Sequence, residues 1–218
     1  MRIRFAAIAL AGLAACAALV WAGYPIMTSR VGQGTPRLVD VSLGSLRLRL
    51  DPAYIRHAED KSGGPMNELM LATRFDSFRP APAATPLQPD MTQADADVLI
   101  LLLRPADATL NPADRTSKLY ARFLESDTWS HPGGLVMRRF SSKGPYAGEE
   151  LYIDPPEGRR FAARCIRPRQ NHDGLPDTCV ADLRVEAIDV NIRFSPDLLP
   201  DWEKLVSGVE GLVLSMTR

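Results

Sequence analysis

Residues 46–50, "LRLRL", alternate without a break: Leu46, Leu48 and Leu50 fall on one face of an extended chain, Arg47 and Arg49 on the other. With "LVDVSL" before it and Gly44-Ser45 between, the pattern predicts a half-buried hairpin. "ELMLATRF", residues 68–75, predicts a further strand, and Val98 to Leu103 hold no polar residue, as in a central strand covered on both faces. From Gly134 onward "GLVMRRF", "ELYID", "RRFAARC", "CVADLRVE" and "IDVNIRF" make a meander. Its last run is the clearest, with Ile188, Val190, Ile192 and Phe194 inward against Asp189, Asn191 and Arg193 outward.

The period changes twice. Asn111 as N-cap, Pro112 in the first turn and Asp114 placed for a capping box predict an internal helix to about Glu125, with Leu119 and Phe123 facing the core. "DTWSHPGG" then reads as the loop that follows it. Leu198, Trp202, Leu205, Val209, Leu212 and Met216 recur at helical spacing and predict a C-terminal amphipathic helix, starting at Ser195-Pro196 or at Pro200. Gly63-Gly64-Pro65 and Pro155-Pro156-Glu157-Gly158 are turns. Four prolines in residues 79–90 make an exposed excursion. The fold class is α+β: a mostly antiparallel sheet of about eight or nine strands with two helices.

One segment fits no globular pattern. Arg2 and Arg4 precede an uncharged stretch from Phe5 to Met27, about the length of a membrane-spanning helix. Positive residues ahead of the first apolar run keep the N-terminus cytoplasmic and deliver the rest to the periplasm. Three fates are open. Leu-Ala-Ala-Cys marks Cys16 for lipidation, Val20-Trp21-Ala22 suits simple cleavage, and the full run suits an uncleaved anchor. The apolar residues that continue past Cys16 favour the anchor. The organisation is then an anchor over 1–27, a polar tether over 28–36 and one periplasmic domain over 37–218.

Charge narrows the roles. The chain has 26 basic and 26 acidic residues. Without the two N-terminal arginines the exported part is slightly acidic, which argues against nucleic acid as partner. No internal repeat, Walker loop, dinucleotide fingerprint or H-E-x-x-H occurs, so no cofactor or metal is implied.

Candidate chemistry is sparse. Alternation places Phe161, Ala163 and Cys165 on one face, and Cys179, Ala181, Leu183 and Val185 on one face of the next strand, so the two cysteines should pair as a disulfide. The rival is a metal site adding His172 and Asp173. Arg160, Arg164 and Arg167 offer an anion- or partner-binding face, against the plainer reading of a solvated sheet surface. Ser130 and His131 beside Gly133-Gly134 are the nearest approach to a nucleophile and base, but no G-x-S-x-G or S-x-x-K accompanies them. His57 reads as structural. These features imply a membrane-tethered periplasmic binding module with a protein partner, either an assembly component or an inhibitor or immunity-type protein. The alternative is an envelope hydrolase acting on lipid or glycan through His131.

Overall fold

The computed structural model describes residues 37–81, 96–166 and 178–217. The 1–27 segment with Cys16, the tether, most of the proline-rich run, and Arg167, His172 and Asp173 lie outside the described residues. Among the described residues no helix is long and apolar enough to cross a membrane.

Among these residues eleven strands form two sheets, where the alternation alone implied one. In the smaller sheet, β1 (Val39–Leu43) and β2 (Leu46–Leu50) make the expected hairpin, with Gly44 at φ 59° in its turn. β3 (Gly64–Met66) pairs parallel with β1. This corrects the turn expected at Gly63-Gly64-Pro65. Gly63 (φ 74°) and Gly64 (φ 104°) both lie at positive φ, and a Cβ on Gly63 would strike the Asp40 backbone, but Gly64 already pairs with Val41. Three residues without alternating apolar side chains carry no strand signal.

The larger sheet contains β4 (Leu69–Arg74), β5 (Val98–Pro105), β6 (Leu124–His131), β7 (Leu135–Phe140), β8 (Glu149–Ile153), β9 (Ala162–Ile166), β10 (Cys179–Val185) and β11 (Ile188–Phe194). Their spatial order is β4-β5-β11-β10-β9-β8-β7-β6, all neighbours antiparallel. The expected meander is therefore real, and β5 closes onto its last strand.

The core lies on one face of this sheet. Leu99, Leu101 and Leu103 of β5 join Ile188, Val190 and Ile192 of β11 and Leu48 and Leu50 of β2 in one buried cluster. The helix α1 (Trp202–Met216) completes it with Leu205, Val209, Leu212 and Met216, the stripe read from the sequence. Of the two expected starting points, Ser195-Pro196 opens the helical segment, whereas Pro200 lies inside its 3-10 part and the α-helix proper begins at Trp202. Ser195 caps a 3-10 turn over Pro196–Asp201, accepting from Asp197 N at 3.3 Å, and α1 follows. A glycine inside a helix costs about 1 kcal/mol relative to alanine. Gly208 is accounted for by Phe78, whose ring occupies the space a Cβ would need. On the opposite sheet face Val98, Ile100 and Leu102 are only half-buried, so β5 is fully covered on one face alone.

The internal helix differs most from expectation. Asn111 does cap it, accepting from Ala113 N at 3.0 Å, but a 3-10 turn (Pro112–Asp114) passes into a wide π turn (Thr116–Tyr120) and a last 3-10 turn (Ala121–Phe123). Pro112, Thr116 and Tyr120 are the residues it buries, while Leu119 and Phe123 pack half-buried at the margin. Tyr120, Phe140, Leu151 and Ile153 form a second cluster. The segment ends at Phe123, and the expected loop "DTWSHPGG" begins instead as strand β6.

Candidate partner-binding surface

β6 is the outermost strand of the larger sheet, and its sequence "LESDTWSH" places few apolar residues anywhere. A bulge interrupts it between Leu124 and Thr128. Beyond the bulge the register is regular, with Trp129 opposite Met137 and His131 opposite Leu135. Met137 in turn faces Tyr152 on β8, and Arg139 faces Glu150. Because side chains alternate along each strand, these pairings set Trp129, Met137 and Tyr152 in a row across three strands. Arg139 and Glu150 border the row on one side, His131 on the other.

The row lies on the face that elsewhere forms the core, since Tyr152 is opposite Ala163 and Glu150 opposite Cys165, both buried. Here, however, the face is only half covered: Trp129, His131, Met137 and Tyr152 are all half-buried and Arg139 is exposed. The border residues hold one another. The Arg139 guanidinium lies 4.6 Å from the Trp129 ring centre, and its Nε is 3.6 Å from Glu150 Oε1. Tyr152 Oη donates to Glu150 Oε2 at 2.9 Å, and the His131 ring meets the Tyr152 ring edge-on at 4.8 Å. Burial, and then the Glu150 acceptor, push the Tyr152 hydroxyl well above its ordinary pKa, so it remains a donor at neutral pH. A methionine ringed by tryptophan, tyrosine and a paired arginine forms a preorganised shelf of the residue types that dominate protein interfaces. Of its members, sequence reasoning singled out only His131 and its neighbour Trp129. The others were readable in principle, as Leu135, Met137 and Arg139 share one parity of "GLVMRRF", and Glu150 and Tyr152 one parity of "ELYID".

The remaining candidates fall elsewhere. Ser130 and His131 are neighbours on a strand, so their side chains project to opposite faces. His131 Nδ1 lies 3.0 Å from Pro132 O, and Ser130 is exposed. No nucleophile and base pair is assembled between them. The adjoining turn is fixed from behind, where Trp202 Nε1 donates to Gly133 O at 2.9 Å. His57 is exposed.

Cys165 and Cys179 are direct partners in the β9–β10 register and form a disulfide, with Cα atoms 4.0 Å apart. Their sulfurs are thereby consumed, against the metal alternative. Arg164 and Arg160 are held separately. Arg164 Nη1 donates to Glu149 Oε2 at 2.7 Å with its guanidinium against the Tyr120 and Tyr146 rings. Burial works against that charge, but Tyr120 and Glu149 outweigh it and hold the Arg164 pKa above its ordinary value. Arg160 lies over Trp202 at 4.9 Å and 3.3 Å from Glu203. It lines an open polar cleft of about 490 Å³ with Arg159, Arg184 and Glu210. Arg159 pairs with Asp114 and Arg184 with Asp189, so the cleft's arginines are each met by a carboxylate of the chain itself.

No family model matches the chain, and no curated protein matches it by sequence. Two solved structures resemble its fold. An immunity protein of the Stenotrophomonas maltophilia type IV secretion system superposes with a TM-score of 0.55 at 14% identity, over 82% of this chain and 92% of that one. The Neisseria meningitidis iron-regulated outer membrane lipoprotein FrpD gives 0.46 at 12% identity, over 83% and 92%. The former likeness shows a shared fold.

Proposed function

We propose that the chain is a bacterial envelope protein of the inhibitor or immunity type, which works by holding a protein partner rather than by chemistry. The observation that carries this reading is the shelf of half-buried Trp129, Met137 and Tyr152 with exposed Arg139, internally neutralised at the open end of the sheet. Such a surface gains affinity by burial without first having to desolvate unpaired charges. The disulfide supports an oxidising compartment, and the N-terminal apolar run supports a membrane tether there. The fold shared with a secretion-system immunity protein supports the inhibitor class over an assembly component. The hydrolase alternative loses its motivation, because Ser130 and His131 diverge.

A co-culture experiment tests this. A strain lacking the gene is mixed with its parent, and survival of the deleted strain is counted. The expected result is loss of the deletion strain, rescue by the full chain, and no rescue by a leaderless copy held in the cytoplasm. Equal survival of the two strains across conditions that activate contact-dependent secretion would overturn the proposal.

A further inference from the structure

The two edges of the larger sheet are treated differently. Along β4 the outer edge is occupied, with bridges joining Ile55 to Leu71 and Pro80 to Thr73. Arg56 N donates to Met70 O at 3.0 Å and Ala81 N to Ala72 O at 3.1 Å, so this edge has its own backbone cover. β6 ends the sheet on the other side, and among the described residues no segment pairs with its outer edge. An uncovered edge presents a row of backbone donors and acceptors to any extended chain that reaches it. The bulge restricts the regular part of this edge to Thr128–His131, four residues that directly border the shelf.

The side chains of the edge define what fits. Glu125 and Asp127 are exposed just ahead of it, in the irregular stretch between Leu124 and Thr128, and Trp129 follows within the regular part. We propose that β6 receives an extended segment of the protein partner as an added strand, one that brings an apolar side chain against Trp129 and a basic side chain to the acidic stretch of Glu125 and Asp127. Backbone pairing supplies affinity without regard to sequence, and the basic and apolar side chains supply selectivity. This inference rests on the partner-holding reading above and names how the partner is held.

The test uses the full chain purified in detergent and two synthetic octapeptides, one alternating lysine with valine and one alternating glutamate with valine. Amide hydrogen exchange is followed by mass spectrometry across 124–131, with β4 as internal control. The lysine peptide is expected to slow exchange in 124–131 several-fold and leave β4 unchanged, while the glutamate peptide has no effect. In the double variant Glu125→Lys with Asp127→Lys, whose sites are exposed and whose fold is checked first by circular dichroism, the preference should reverse. No protection from either peptide, equal protection from both, or an unreversed preference in the variant would each overturn the inference. These readouts are independent of co-culture survival, so a failure here leaves the immunity reading standing, and a failure there leaves the edge result standing.

Discussion

The β4–β5–β11 end and the β6–β7–β8 end of the larger sheet use the same backbone ladder for opposite purposes. At the first, leucines and valines on the inner face are fully buried under α1 and the small sheet, and the edge is covered by the chain's own segments. At the second, the same face carries Trp129, Met137, Arg139 and Tyr152 half-exposed, and the edge is bare among the described residues. A fold that completes its packing at one end leaves a rigid, incompletely covered surface at the other. Stability and recognition are thereby assigned to different strands.

The strongest way to break this comparison is at the covered end. Leu101→Ala removes a fully buried side chain and is expected to cost about 2–5 kcal/mol, measured as a lower denaturation midpoint in urea. A loss below about 0.5 kcal/mol would place it in the range of surface substitutions and show that this end is not the stability centre. Next in size is the staple in mid-sheet. Reducing Cys165–Cys179, which are separated by 14 positions, should lower stability by about 3 kcal/mol in a chain-entropy account, with the Cys165→Ala, Cys179→Ala pair insensitive to reductant.

At the open end the prediction inverts. Trp129→Ala should change the urea midpoint by less than about 1 kcal/mol yet abolish rescue in co-culture, whereas Ser130→Ala should leave rescue intact. Loss of rescue with Ser130→Ala and not with Trp129→Ala would restore a chemical role for the β6 hydroxyl. The smallest effect is a pH slope. The folded-state pKa of Tyr152 is raised above its ordinary 10.0 by burial and by Glu150, so the neutral hydroxyl is favoured by folding. Its contribution is complete below pH 10 and is lost as pH rises through the folded value, because the unfolded chain releases that proton first. Unfolding titrations above pH 10 should therefore show a shallower loss in Tyr152→Phe than in the wild type, and identical slopes would sever Tyr152 from Glu150.

The covered end was legible in the sequence, because its strands alternate apolar with polar residues and its helix repeats apolar residues at helical spacing. Leu48 and Leu50, Ile188 to Phe194 and the stripe from Leu198 to Met216 all lie where that pattern puts them. At the open end β7 and β8 were legible as "GLVMRRF" and "ELYID", but β6 was not. β6 has no buried face to impose alternation, so "ESDTWSH" reads as loop, and a strand held only by one neighbour leaves no mark on composition. The helical segment from Pro112 to Phe123 misled for another reason. Its capping signals at Asn111 and Pro112 were correct, but a wide turn at Thr116–Tyr120 shifted which residues it buries. The shelf itself joins residues from three strands, and its members become neighbours only when the register of β6, β7 and β8 is known. The disulfide was the exception among the candidate sites, since parity on two adjacent strands sufficed to pair Cys165 with Cys179.

That disulfide has a further consequence for survival among proteases. Cys165 and Cys179 enclose residues 166–178 in a covalent ring that does not depend on the peptide bonds within it. A single cut anywhere in that ring opens it without parting the molecule: β9 and β10 stay linked through sulfur, and the meander on either side keeps its order. The chain thus carries a spare connection across residues 166–178, and the difference between a nicked and a severed protein rests on that one bond.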